Sequence, residues 1–335
     1  MIRKGDTLLF DAPPTVAAWA AAGGKKESEG PLASAFDFVT QDAAFGEQGC
    51  ENWEQAESLL QRKAVELCLR KADIPRSKVD IAFAGDLQAQ CTASNYTMRE
   101  LGIPFAGVYG ACSTMAETLG LAAVFAAGGM AERVLALTSS HFCAAERQFR
   151  TPLEYGSQRA PTAQWTATAS GSAVLGMSGD IQVRHATVGR ITDLGVTDMT
   201  NMGAAMAPAA AQTLLDFFND TATKPEDYDR IYTGDLGAVG TKLLYELLRE
   251  NGIVLRNHED CGLILFDREA QDVHAGGSGC GCSAGVLCGH ILNRMDRGEL
   301  KNILFMATGA LMSTTSSQQG ESIPGIAHLV HVGRG

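Results

Sequence analysis

The sequence has little positive charge, few aromatic residues and no long apolar run. Of its 335 residues, 27 are Lys or Arg and 38 are Asp or Glu, which gives a formal net charge of −11. No basic stretch offers the electrostatic surface that nucleic acid requires, so nucleic acid is excluded as a partner. An anionic ligand would need a local cluster of Arg or His against this overall field.

The longest apolar run, residues 119–130 (LGLAAVFAAGGM), is shorter than the roughly 20 residues that a membrane-spanning helix needs. At the start of the chain, Asp6, Asp11 and two prolines interrupt any apolar segment. We therefore expect neither a signal peptide nor a transmembrane segment. Any association with a membrane is expected to be peripheral.

Cysteine is present, but not at the spacing of a metal site. The nine cysteines are odd in number and scattered, which indicates reduced thiols in a compartment of the cytosolic type. The close pair Cys280 and Cys282 is too tight for a zinc site. We expect no structural metal and no cofactor.

Helices and apolar strands alternate along the chain after residue 45. Before that point, residues 1–45 look irregular, and residues 23–27 are typical of an exposed loop. Further along, a helix followed by an apolar strand that ends in Gly-Asp-Leu occurs twice. The two pairs cover residues 52–72 with 78–87, and residues 205–218 with 228–236.

This recurrence indicates an internal duplication. Asp86 and Asp235 are equivalent ends of the two strands, 149 residues apart, and Cys112 is matched by Cys282, 170 residues further on. The order of the matches is kept across one insertion. We therefore predict an α/β fold of two similar halves, with mixed or parallel sheets covered by helices on both faces.

Cys112 is the candidate nucleophile. It stands in the stretch VYGACST, residues 108–114, where an apolar run turns on glycine and a helix begins. At a helix N-terminus the backbone dipole and the unpaired N–H groups lower the pKa of a thiol, so we predict a lowered pKa for Cys112. A buried structural cysteine is the alternative.

Further motifs, spread through the chain, resemble the same family as the residues around Cys112. The longest are residues 84–87, 109–114, 138–141, 145–150, 169–174, 206–211, 260–262, 275–280, 307–309 and 321–328. Together they resemble the thiolase superfamily and, within it, the family of stage V sporulation protein AD. The resemblance implies a thiolase-like, internally duplicated fold of αβαβα layers with two mixed or parallel sheets, divided into halves at 1–180 and 181–335.

The same resemblance implies a function in spore formation. A member of this family is expected to bind dipicolinic acid, free or as its calcium chelate, and to act in its uptake into the developing spore. The expected partners are membrane proteins of the same uptake system, at the spore inner membrane, where this protein is peripheral. A homodimer is one candidate assembly.

Thiolase chemistry also requires acid–base groups beside the thiol. The thiolase Gly-His-Pro turn corresponds to residues 276–280 (GGSGC), and the second catalytic cysteine corresponds to Ala307. The histidine of the ketoacyl synthases falls within residues 233–235 (TGD). We therefore predict a protein that is not an enzyme. An acyl-thioester enzyme that uses Cys112 with an unorthodox base such as Cys280 is the alternative.

Two groups of residues are candidates for the ligand site. Asp86 and Asp235 follow apolar strands, where α/β folds bind ligands, and Asp260 with Cys261 is added by the insertion. These carboxylates either face the ligand or cap their own turns.

The second group is basic: residues 141–150 run into the loop 151–162, and together they contain His141, Arg147, Arg150 and Arg159. Its arginines suit a carboxylate, although a solvated loop is the alternative. The predicted ligand-binding residues are Asp86, Cys112, His141, Arg147, Arg150, Asp235, Asp260, Cys261 and Cys280.

Overall fold

A large mixed β-sheet forms the framework of the protein. The computed structural model describes residues 1–149 and 159–335, and the strands and helices below lie within these ranges. The strands are β1 (Ile2–Lys4), β2 (Thr7–Leu9), β3 (Thr15–Gly23), β4 (Phe38–Val39), β5 (Ile81–Asp86), β6 (Phe105–Gly107), β7 (Val134–Ser140), β8 (Trp165–Thr166), β9 (Ala169–Gly176), β10 (Ile181–Thr187), β11 (Arg230–Thr233), β12 (His258–Asp260), β13 (Gly277–Ser278), β14 (Asn302–Ala310) and β15 (Gly325–Arg334).

The helices cover both faces of this sheet. They are α1 (Lys25–Ser28), α2 (Trp53–Lys71), α3 (Thr92–Leu101), α4 (Thr114–Ala127), α5 (Phe142–Phe149), α6 (Met202–Thr221), α7 (Gly237–Glu250), α8 (Cys261–Leu265), α9 (Cys280–Val286), α10 (Leu292–Asp296) and α11 (Thr314–Gln318). The helices predicted at 52–72 and 205–218 correspond to α2 and α6. The strands predicted at 78–87 and 228–236 correspond to β5 and β11.

The same strand arrangement occurs twice. In the first part of the sheet the order is β6-β5-β7-β9-β3, and in the second it is β12-β11-β14-β15-β10. The first three strands of each part run parallel, and the last two pair antiparallel. Where two separate sheets were predicted, the two parts are joined, because Thr15 at the start of β3 pairs with Gln182 in β10.

Helices pack in three layers around the two parts of the sheet. The outer layers are α2 and α3 on the first part, and α6 and α7 on the second. Between them lie α4, which packs on β7 and β15, and α9, which packs on β9. Helix α4 is apolar around most of its circumference, as a helix between two sheets must be. The predicted αβαβα layering is confirmed.

The N-terminal segment is more ordered than predicted. Residues 15–23 form β3, and Ala20, Ala21 and Ala22 are fully buried in it. Because α2 and α9 pack closely on this strand, small side chains fit best, and alanine carries little strand preference that would reveal it. The predicted exposed loop at 23–27 is also wrong, since Gly23, Gly24 and Glu27 are buried.

In the part of the chain that the structure describes, no helix combines the length and the apolar character that crossing a membrane requires.

Candidate functional site

Cys112 lies in a short turn, Ala111–Ser113, that leads directly into α4. Ala111 adopts a left-handed conformation with φ of 51°, a strained backbone for a residue other than glycine. Strand β14 comes close to this turn at Gly309. A Cβ atom on Gly309 would lie 2.4 Å from the Gly110 carbonyl oxygen, so only glycine allows the approach.

A chain of polar groups connects the thiol to Asp235. The Sγ atom of Cys112 lies 4.0 Å from Oγ of Ser278, and this hydroxyl donates to Oδ2 of Asp235 at 3.1 Å. The backbone N–H of Gly279 donates to the same oxygen at 2.8 Å. Thr308 donates to the other oxygen, Oδ1, at 2.9 Å. Asp235 is therefore held by three donors of the second half.

The acidity of Cys112 is opposite to the prediction. Burial, and then the negative charge of Asp235, raise the pKa of the Cys112 thiol well above its ordinary value. The helix N-terminus was expected to lower this pKa. The thiol is only 5% exposed, and its nearest ionisable neighbours are acidic, so the prediction was wrong. Burial likewise raises the pKa of Asp235 to about 7.

A second buried acidic cluster surrounds Asp86. This carboxylate accepts hydrogen bonds from the N–H of Gln88 and from both the N–H and the hydroxyl of Ser94. Beside it, Glu57 of α2 accepts from Gln88 Nε2 at 2.6 Å and from Ser139 Oγ at 2.8 Å. Burial, followed by the charge of Asp86, raises the pKa of Glu57 to about 8. The sequence analysis missed Glu57 and Gln88.

Cys280 lies between the two acidic clusters. Its thiol donates to the Ser139 carbonyl oxygen at 2.9 Å, and burial together with the charges of Glu57, Asp86 and Asp235 raises its pKa. Asp86 and Asp235 were predicted either to face the ligand or to cap their own turns. Both are fully buried, and Asp86 does cap its own turn by accepting from the N–H of Gln88, whereas the donors to Asp235 are residues 278, 279 and 308, far from it in the sequence.

Asp260 and Cys261 also have local roles. Asp260 accepts from Thr233 Oγ1 at 2.7 Å and from the N–H groups of Leu236 and Gly237, the latter the first residue of α7. Cys261 follows directly as the buried first residue of α8. Asp260 therefore stabilises the start of α7.

The described members of the predicted basic cluster, His141 and Arg147, have different surroundings. His141 is 1% exposed beside the Phe45 ring, and burial lowers its pKa to about 4, so it is neutral at pH 7. Arg147 pairs with Glu54 of α2, and its guanidinium lies 5.2 Å from the centre of the Trp53 ring. The buried and the exposed side chains of α5 alternate with the helical period, so the exposed Arg147 points away from the buried face of this helix. Arg150 lies outside the described residues.

A cavity of about 30 Å³ opens beside Cys112. Residues of both halves form its wall, and most of them are apolar. They are Leu87, Tyr109, Ala111, Cys112, Ala145, Glu146, Phe149, Thr166, Met202, Ser278, Ala310 and Met312. Among the predicted site residues that the structure describes, Cys112 is the one that contributes to this wall. Ser278 could have been found from the sequence, since it stands in the segment that corresponds to the thiolase Gly-His-Pro turn.

The described residues place no group of three or more His, Cys, Asp or Glu side chains where they could hold a metal ion. The buried carboxylates instead accept hydrogen bonds from backbone N–H groups, amides and hydroxyls.

The motifs of both halves belong to one family. The model of the family "Stage V sporulation protein AD (SpoVAD)" matches residues 4–333. The chain belongs to this family. A SpoVAD relative, stage V sporulation protein AD of Bacillus subtilis (strain 168), is 46% identical over 328 residues, which cover 97% of this chain and 95% of the relative.

Solved structures with the same architecture extend beyond the SpoVAD family. The 3-oxoacyl-[acyl-carrier-protein] synthase III from Aquifex aeolicus VF5 has a TM-score of 0.58 at 12% identity and covers 96% of this chain and 99% of its own. The E117Q variant of OleA from Xanthomonas campestris has a TM-score of 0.62 at 13% identity, with 97% and 99% covered. At such identities the likeness concerns the fold alone, and the predicted thiolase-like fold is confirmed.

Proposed function

We propose that the protein binds dipicolinic acid as its calcium chelate in the cavity beside Cys112, and that it acts in uptake of this ligand into the developing spore without catalysing acyl transfer. The resemblance stated above suggests the ligand, and membership of a sporulation family is consistent with it. The observation that carries the proposal is the engagement of Asp235 by three hydrogen-bond donors beside a thiol whose pKa is raised.

A thiol must lose its proton before it attacks a thioester. The Ser278 hydroxyl lies 4.0 Å from Cys112 Sγ, and its own proton is directed to Asp235. Burial and negative charge both keep the Cys112 proton in place. This arrangement favours a ligand-binding cavity over a nucleophilic site.

The chemistry of the cavity favours the calcium chelate over free dipicolinate. Free dipicolinate carries two negative charges, whereas Glu146 lies in the cavity wall and Asp235 directly behind it. In the chelate these charges are neutralised, and calcium retains positions for further oxygen ligands. Glu146, Thr166 and Ser278 present such oxygens on the wall.

The remaining wall suits the flat pyridine ring. Tyr109 and Phe149 supply aromatic surface, and Met202 and Met312 supply flexible apolar side chains. The ligand is larger than about 30 Å³, so binding requires the cavity to widen, and the methionines are flexible members of its wall.

Calorimetric titration with dipicolinate, with and without calcium, tests this proposal. Glu146→Gln keeps the shape of the side chain and removes its charge, so we expect at least a tenfold loss of affinity for the chelate. Glu132→Gln makes the same change at an exposed position outside the cavity and should leave binding unchanged. Equal binding by parent and Glu146→Gln, or equal binding with and without calcium, would contradict the proposed site.

Acyl transfer at Cys112 is the second candidate function. The connection from the thiol through Ser278 to Asp235 favours it, because a carboxylate at the end of such a chain could accept a proton through the hydroxyl. Incubation with acetyl- and acetoacetyl-coenzyme A, followed by intact-protein mass spectrometry, distinguishes the two. An acyl adduct on Cys112 with turnover supports the enzyme, and an unmodified protein supports the binding function.

We further propose that the protein acts as a peripheral protein of the spore inner membrane, beside membrane-embedded proteins of the same uptake system. This follows from the family resemblance. Washing isolated spore membranes with high salt or at alkaline pH should release a peripheral protein, whereas retention after both treatments would contradict this location.

A further inference from the structure

A polar groove lies between α2 and α3, on the outer face of the first part of the sheet. Its volume is about 660 Å³. The side chains that face it are three or four residues apart on each helix, as the helical period requires. They include Gln55, Ser58 and Arg62 on α2, and Thr92, Tyr96 and Arg99 on α3.

The groove already holds a carboxylate between two arginines. Arg62 Nη1 donates to Oε2 of Glu100, and Arg99 Nη2 lies 3.7 Å from the other oxygen, Oε1. Two guanidinium groups on one carboxylate form a common recognition geometry for this anion. A carboxylate from solution that displaced the Glu100 side chain would meet the same two guanidinium groups.

Two further features indicate a ligand with a ring. The Nε atom of Arg62 is buried, and it has no acceptor among the residues that the structure describes, whereas buried N–H groups are normally bonded. Next to it, the Tyr96 ring is 47% exposed, and the Arg99 guanidinium lies 4.7 Å from its centre. A flat ligand could stack on this ring while its carboxylate reaches Arg62.

We propose that this groove is a second ligand site, which takes a small organic molecule with a flat ring and a carboxylate, and that Glu100 competes with the ligand for the two arginines. The volume lies within the range of about 300–1,000 Å³ typical of small-molecule sites. The groove and the Cys112 cavity share none of the described lining residues. The proposal therefore does not depend on the function proposed for that cavity.

Isothermal titration with isophthalate (benzene-1,3-dicarboxylate) in calcium-free buffer containing EDTA tests the groove separately from the calcium-dependent cavity. We expect Arg62→Gln to weaken binding at least about tenfold, the effect of one lost charge-assisted contact. Glu100→Gln should tighten binding about tenfold, since the competing charge is removed. Tyr96→Leu should weaken binding through the lost stacking.

Two control variants on α2 make the same changes of charge at positions that do not line the groove. Arg70→Gln and Glu66→Gln are both exposed and should bind isophthalate as the parent does. Thermal unfolding of every variant establishes that the fold is kept. The proposal is overturned if the parent does not bind isophthalate, if Arg62→Gln binds as the parent does, or if Glu100→Gln does not bind more tightly. None of these results bears on dipicolinate binding at Cys112.

Discussion

The buried Asp235 should make the stability of the protein depend on pH in a way that one substitution removes. Its pKa is raised from an ordinary 3.8 to about 7 by burial. A carboxyl group with a raised pKa contributes stability that is fully present below the unfolded value and is lost as pH rises through the folded value. The loss therefore extends from about pH 4 to about pH 7.

The size of this effect follows from the two pKa values. Their difference corresponds to about 4 kcal/mol of unfolding free energy once both states are ionised. More than half of this loss falls between pH 5 and pH 8. In Asp235→Asn the amide cannot ionise, while its oxygen still accepts from Gly279 and its NH₂ donates to a rotated Thr308 hydroxyl.

Urea unfolding of parent and Asp235→Asn at several pH values measures this difference. We expect the variant to be about as stable as the parent at pH 5, because the cost of one weakened hydrogen bond offsets the stability that the parent has already lost there by ionisation, and to be more stable than the parent by about 2 kcal/mol at pH 8. The exposed Asp296→Asn is the control for removing a carboxylate. A stability difference between parent and Asp235→Asn that stays constant from pH 5 to pH 8 would refute the reasoning.

Three further predictions follow from the same geometry. Iodoacetamide at pH 7.5 should label the half-buried Cys50 before Cys112, and peptide mass spectrometry that finds Cys112 labelled first would contradict its raised pKa. Gly309→Ala should lower the unfolding free energy by about 2 kcal/mol, because the new methyl meets the Gly110 carbonyl, and an unchanged urea midpoint would argue against this contact. Because burial lowers the pKa of His141 to about 4, its contribution to stability is present above about pH 6.5 and lost as pH falls through 4. His141→Leu should therefore lose less stability than the parent between pH 6.5 and pH 4.5, and equal losses in denaturant titrations would contradict this.

Strong periodicity made the outer elements predictable. The apolar positions of α2 repeat at helical spacing, and Asn52 caps the helix by accepting from the Gln55 N–H, so the predicted range 52–72 nearly equals the observed one. Strand β3 carried no such signal. Its alanines are buried because helices pack closely on both faces, which is a property of the assembled layers rather than of residues 15–23 themselves.

The site was predictable in position but not in its electrostatics. The motifs singled out Cys112 and Asp235 as candidate site residues, and the structure connects them through Ser278. The direction of the Cys112 pKa depended on burial and on a negative neighbour, both set by contacts between distant segments. Glu57 did leave a trace in the sequence, since it is a charged residue on the face of α2 that packs against the sheet.

The pairing of β3 also constrains when the sheet can form during synthesis of the chain. Its ladder partner, β9, follows far along the sequence, and Thr15 meets Gly176 161 residues later. At a synthesis rate of about 5–20 residues per second, an emerging β3 waits about 8–30 s for this partner. The first part of the sheet therefore closes only after more than half of the chain has been translated, and until then the alanine-rich strand β3 lacks its β9 partner.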